Sequence, residues 1–207
     1  MIKQRLVQTG LAAAAVVFLS PAAFGQSAAT PLDTFWNNLT RLCGKAFAGS
    51  IAEDSSPSPD FTGKALVMHV RSCEKDRIRI PFFVGDDRSR TWVLTRKNGR
   101  LELKHDHRHE DGSPDKVTMY GGTSSNAGEA IRQFFPADEE TTRVVEPPKD
   151  DAPSAAANIW WIELVPDSHF SYNLRRLGRG RIFSVKFDLT KAIEAPAPPW
   201  GWEEKKK

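Results

Sequence analysis

The dipeptide Asn98-Gly99, between two runs of β-prone residues, is the feature that most constrains how this chain can fold. Asn-Gly is the preferred centre of a tight turn whose twist matches that of two antiparallel strands. If these two residues form the turn, counting outward along both strands places Trp92 opposite His105. The sequence therefore predicts a β-hairpin of fixed register.

This register assigns the side chains of the hairpin to two faces, because alternate residues of a strand point to opposite sides of the sheet. One face is mostly apolar and is expected to be the inner one. It changes from leucine to histidine toward one end. Since an imidazole would then lie near an indole, we expect the tryptophan fluorescence to respond to protonation between about pH 5 and 8. The residues of this face are Trp92, Leu94, Leu101, Leu103, His105, His107 and His109.

Most of the chain consists of short alternating runs separated by Gly, Pro, Asn and Asp, a pattern typical of all-β antiparallel proteins. The spacing of apolar residues predicts one helix at Pro31–Leu42, before the first strand, and a second, short helix at Asn126–Phe135. Pro81 indicates an edge or a bulge in the predicted strand Arg77–Val84. Together these patterns predict an up-and-down barrel of about eight or nine strands.

Two segments resemble lipocalin-like, or calycin-type, β-barrels. A helix that ends at Leu42–Gly44 leads at once into a strand that contains Phe47–Gly49, as in the opening of such barrels. The run Gly180–Leu189 is similar to their last strand. The chain departs from the true lipocalins at Phe47, where their Gly-x-Trp signature has tryptophan. The resemblance implies the barrel fold and carries over no functional residue.

A wider pattern resembles exported bacterial proteins of unknown function. It consists of the segments Ser89–Trp92, Leu103–Gly112 and Tyr120–Gly122. Because those proteins have no assigned function, the resemblance implies export and nothing about activity.

Residues 1–25 have the features of a secretory signal peptide. Lys3 and Arg5 precede the apolar stretch Leu11–Leu19, and small residues follow at the position expected for cleavage. The apolar stretch is shorter than the roughly 20 residues that a membrane-spanning helix needs. We therefore expect a periplasmic or secreted protein without a membrane anchor.

The remaining chain has the length of a single domain. The whole sequence carries 29 basic and 26 acidic residues, and removal of the two basic residues of the signal leaves a net charge of +1. A nucleic-acid partner requires a strong basic excess, so none is expected. We expect a monomer in which residues 26–195 form the barrel and residues 196–207 form a Pro/Trp-rich, charged tail.

Cys43 and Cys73 are the two cysteines of the chain. Because free thiols seldom persist in an oxidising compartment, we expect a disulfide between them. Reactive-cysteine chemistry is the weaker alternative, since neither residue has an activating partner in its sequence context.

Three interpretations of the inward histidines stay open. They could form a partly hydrated end of the interior, where each imidazole finds a hydrogen-bond partner. They could bind a ligand, with Trp92, His105, His107 and His109 lining the binding site. His105 and His107 could instead hold a divalent metal as a cofactor, which would require a third ligand from elsewhere.

The leading hypothesis is an exported protein that binds a small-molecule ligand at a histidine-bearing mouth of the barrel. The second is a metal-dependent hydrolase that uses the His-x-His-x-His strand. The third is an envelope-associated interaction protein without pocket chemistry. A pocket lined by Trp92 would favour the first hypothesis, three converging metal ligands the second, and a completely filled barrel the third.

Overall fold

The structure is a computed structural model that describes residues 28–145, 155–178 and 180–203. The predicted signal peptide lies outside the described residues. Within them the chain forms helices α1 (Pro31–Thr40) and α2 (Glu139–Val144), a 3₁₀ turn (Ala155–Ala157), and strands β1 (Ala46–Asp54), β2 (Leu66–His69), β3 (Ser72–Cys73), β4 (Arg77–Val84), β5 (Asp87–Lys97), β6 (Arg100–His107), β7 (Tyr120–Thr123), β8 (Arg132–Pro136), β9 (Asn158–Val165), β10 (His169–Arg176) and β11 (Arg181–Asp188).

The strands form one antiparallel sheet that curls into a nearly closed barrel. Its order is β7-β6-β5-β4-β2-β1-β11-β10-β9-β8, with β3 paired to β4, so most neighbours in space are also neighbours in sequence. The two ends of the sheet meet at one bridge between Gly122 and Ala137. The predicted all-β, up-and-down barrel is confirmed. Its strand count is slightly higher than predicted, partly because the strand predicted before β4 is divided into β2 and β3.

The predicted hairpin register is also confirmed. Trp92 lies opposite His105 in the β5–β6 ladder. Asn98 and Gly99 have φ angles of 52° and 68°, the left-handed conformation that a type I′ turn requires at both central positions.

The bulge predicted from Pro81 occurs where β4 meets β2 and β3. Met68 pairs with Phe82 and Ser72 pairs with Arg79, so three residues face the two residues of β4 that include Pro81. Because proline has no N–H to donate, a break in the ladder at this position leaves no hydrogen bond unmade.

The helix predicted at Asn126–Phe135 is wrong. Residues from Arg132 onward form β8, in which buried Gln133 and Phe135 alternate with exposed Phe134. This alternation has the period of a strand, and pairing with β9 satisfies the backbone. The short second helix is α2, seven residues downstream of the start of β8.

Helix α1 covers the end of the barrel that contains the Asn98-Gly99 turn. Its apolar face is buried, and Arg96 at the end of β5 forms an ion pair of 3.0 Å with Asp33. The Arg96 guanidinium also lies 5.6 Å from the ring of Trp36. Neither α-helix among the described residues is long and apolar enough to cross a membrane. Helix α1 therefore covers one end of the barrel and not the other.

A disulfide joins Cys43, just after α1, to Cys73 in β3. Both cysteines pack against the hydrophobic core. The predicted pairing is confirmed, and the bond fastens the covering helix to the barrel wall.

The described part of the C-terminal segment, up to residue 203, packs on the outer surface of the barrel. The Trp200 N–H donates to the Arg88 carbonyl at 3.1 Å, and Arg71 lies 5.1 Å from the Trp202 ring. Gly201 approaches Gly112 so closely that a Cβ on Gly112 would lie 2.9 Å from the Gly201 Cα. The two tail tryptophans thus contact the barrel itself.

Replacement of Gly122 by alanine should open the seam where the barrel closes. A Cβ at this position would lie 1.7 Å from the Pro136 carbonyl oxygen, so β7 and β8 must separate. We expect the free energy of unfolding to fall by about 2 kcal/mol or more, measured by urea denaturation. Thr123→Ala is the control, because Thr123 is exposed at the end of the same strand β7 and alanine adds no atom there. Equal losses in the two variants would contradict the close approach.

Candidate functional site

A cavity of about 160 Å³ lies at the end of the barrel opposite α1. Its walls come from β4, β5, β6, β7, β10 and β11, together with the loop between β1 and β2. Most of its lining is aromatic or cationic: Phe61, Phe82, Arg90, Thr91, Trp92, His105, His107, Tyr120, Tyr172, Leu174, Arg181 and Phe183. Larger grooves occur on the outer surface, including one of about 850 Å³ beside the C-terminal segment, but this cavity is the one bounded by the inner face of the predicted hairpin.

Trp92 is the centre of the aromatic wall. Its ring stacks on Tyr172 at 4.5 Å and on Phe82 at 4.8 Å between centroids. Phe61, from the loop after β1, reaches across the mouth and lies 5.0 Å from Phe183. These rings form a continuous apolar surface suited to a flat ligand.

His105 is buried and both of its ring nitrogens are hydrogen-bonded. Nδ1 lies 2.9 Å from the carbonyl oxygen of Tyr120 and must therefore donate, which leaves Nε2 to accept the O–H of Tyr172 at 2.7 Å. Burial lowers the pKa of His105 to about 3, so the imidazole is neutral at physiological pH. The expected titration between pH 5 and 8 is wrong for this residue, because burial moves it to lower pH. His105 positions the two tyrosines.

His107 lies nearer the mouth, where its Nε2 is 3.1 Å from the hydroxyl of Tyr120. Burial lowers the pKa of His107, and the nearby Arg90 guanidinium lowers it further. Burial also raises the pKa of Tyr120 to about 12. Both groups therefore offer neutral hydrogen-bonding atoms to the cavity at neutral pH.

Two arginines line the mouth of the cavity. Arg90 forms an ion pair with Asp87 and its guanidinium lies 5.6 Å from the Phe61 ring. Arg181 is paired with Asp54 and lies 5.8 Å from the Phe183 ring. None of the described residues that line the cavity carries a carboxylate, so the charged groups that face the cavity are two guanidinium groups, each paired with a carboxylate outside the lining.

The structure brings Trp92, His105 and His107 together but not His109. Strand β6 ends at His107, and His109 is exposed in the following turn, where its N–H donates to the Ser113 carbonyl at 2.9 Å. The prediction that His109 continues the inner face is wrong because the alternation of a strand stops where the strand stops.

In the described parts of the chain, no group of three or more His, Cys, Asp or Glu side chains is arranged to hold a metal ion. His105 and His107 thus have no third ligand there. Of the other histidines, His169 contacts Glu163 at 3.0 Å on the barrel wall, and His69 is buried beside the end of α1.

Several lining residues were not identified from the sequence. Tyr172 belongs to the alternating run of β10, so the period of that strand indicated an inward side chain but not a place in the cavity. Phe61 had no such signal, because it comes from a loop without periodicity. Arg90 continues the inner face of the hairpin, two residues before Trp92, and could have been found from the same register.

Comparison of the chain with protein-family models, with curated proteins and with solved structures finds no match. The resemblance to lipocalin-like proteins is accordingly one of architecture alone, a nearly closed antiparallel barrel with one covered and one open end.

Proposed function

We propose that this protein binds a small planar molecule in the aromatic mouth of its barrel. The observation that carries the proposal is the cavity of about 160 Å³ against Trp92, on the inner face of the β5–β6 hairpin. A cavity of roughly 150 Å³ in a protein core is large enough for benzene. The expected ligand therefore has one aromatic ring.

The arrangement of polar atoms supports binding rather than simple packing. His107 and Tyr120 place a ring nitrogen and a hydroxyl at the edge of the apolar wall. Binding sites for small molecules typically combine such a wall with a few polar groups that orient the ligand. A leucine in place of His107 would have continued the column of Leu101 and Leu103 at no cost in desolvation.

Export to the periplasm or the exterior, as a monomer, is part of the proposal. The features of residues 1–25 favour it, and a disulfide is characteristic of proteins in oxidising compartments. The hydrolase hypothesis is not pursued, since the described residues supply no third metal ligand.

Filling the cavity should abolish binding. Leu174 lines the cavity, and Leu174→Trp would occupy the space of a ligand ring. We expect wild-type protein to bind phenol or benzyl alcohol in calorimetric titration, and Leu174→Trp to bind neither.

Leu177→Trp is the matched control, because Leu177 is 49% exposed and does not line the cavity. It should bind like the wild type. Equal binding by the wild type and Leu174→Trp, or no binding of any single-ring compound at millimolar concentration, would overturn the proposal.

A further inference from the structure

We propose that the ligand of this cavity is a single-ring aromatic anion, of the aryl carboxylate class, with its ring against Trp92 and its charged group at Arg90. This inference rests on the proposed function and adds the chemical class of the ligand. It depends on the charges of the lining, on the position of Arg90, and on the order of polar and apolar groups from the mouth inward.

The charges of the lining favour an anion. Arg90 and Arg181 both line the cavity, and none of its described lining residues is acidic. Aromatic rings can also hold a cation by cation–π contact, but here the charged groups that face the cavity are guanidinium groups, and the carboxylates paired with them are not part of the lining. The ion pairs with Asp87 and Asp54 hold the arginines in place at the rim.

Arg90 has hydrogen-bonding capacity to spare. Among the described residues its guanidinium donates from Nη1 to Asp87, whereas a guanidinium carries five N–H donors in a planar fork. Such a fork can bind a second carboxylate through its remaining donors. The contact with the Phe61 ring limits the rotation of the side chain further, so little entropy is lost when a ligand binds.

The lining of the cavity is polar at the mouth and becomes apolar further inside. Arg90 lies opposite His107 in the β5–β6 ladder, and Trp92 lies opposite His105 one step deeper on the same face. The Tyr120 hydroxyl joins the polar group through its hydrogen bond of 3.1 Å to His107. A ligand that enters ring first therefore leaves its carboxylate beside Arg90, His107 and Tyr120.

The test compares benzoate with two probes of similar size, neutral benzyl alcohol and cationic benzylammonium, by calorimetry at pH 7 and low salt. We expect benzoate to bind at least about tenfold more tightly than benzyl alcohol, and benzylammonium to bind more weakly than either. In Arg90→Gln the preference for benzoate over benzyl alcohol should fall toward one. Arg100→Gln, an exposed arginine at the opposite end of the barrel, should keep the wild-type preference.

A second measurement uses the wild type alone and therefore does not depend on the folding of a variant. The affinity of the wild type for benzoate should fall as salt is raised, whereas that for benzyl alcohol should not. If benzyl alcohol binds and benzoate binds no more tightly, the inference is overturned and the proposed function stands. If benzylammonium binds best, the charge assignment is overturned. If no probe binds at millimolar concentration, the proposed function itself fails.

Discussion

Replacing Cys43 and Cys73 together by alanine is expected to lower the free energy of unfolding by roughly 3–4 kcal/mol. The bond closes a segment of 30 residues, and the chain-entropy model gives about this cost for releasing such a loop in the unfolded state. The same bond fastens the end of α1 to the barrel, so its loss should also loosen the covered end. Urea denaturation under non-oxidising and oxidising conditions measures the difference.

Reduction provides the control for this prediction. A reductant should lower the stability of the wild type by the same amount and leave the double alanine variant unchanged. Thiol titration of the denatured, non-reduced wild type should find no free thiol. The bond would be contradicted by two titratable thiols, or by a wild-type denaturation midpoint that does not change when reductant is added.

The features that could be predicted from the sequence depend on local conformational requirements. Asn98-Gly99 needs positive φ at both positions, which few residues adopt, so turn type and register followed from two residues. Pro81 lacks an N–H, so the break in the ladder beside it could be inferred without knowing the partner strand. In both cases the backbone preference of the residue itself decides the local structure.

The features that could not be predicted depend on partners far away in sequence. The segment from Arg132 is a strand because β9 pairs with it, and its local composition does not reveal this. The role of His105 likewise depends on Tyr172, which is 67 residues away. His109 does not lie on the inner face because strand β6 ends before it, and the ends of strands are set by such tertiary contacts.

The histidine column therefore divides into residues with different roles. His105 has both nitrogens occupied by tyrosine groups and fits the interpretation of a satisfied interior histidine. His107 lies at the polar edge of the cavity and belongs to the proposed binding site. Burial of His105 costs desolvation energy. Its hydrogen bond to the Tyr172 hydroxyl in turn holds the tyrosine ring, which stacks on Trp92 in the aromatic wall of the cavity.

Acid should destabilise the protein through His105, by roughly 3 kcal/mol between pH 6.5 and pH 4. The pKa of this residue is about 3 in the folded protein, against a reference of 6.5, so the unfolded chain binds a proton that the fold excludes. The stabilisation is complete above pH 6.5 and is lost as the pH falls toward 3, at up to about 1.4 kcal/mol per pH unit. Urea denaturation at a series of pH values measures this slope.

The variant His105→Gln isolates this contribution from that of the carboxylates. Glutamine can still donate to the Tyr120 carbonyl and accept from the Tyr172 hydroxyl, but it does not titrate. Between pH 6.5 and 4, we expect the free energy of unfolding of this variant to fall by about 3 kcal/mol less than that of the wild type. His109→Gln, in an exposed turn, should follow the wild type. Parallel profiles for wild type and His105→Gln, or an imidazole signal of His105 that titrates near pH 6.5 by NMR, would show that the ring is not excluded from water.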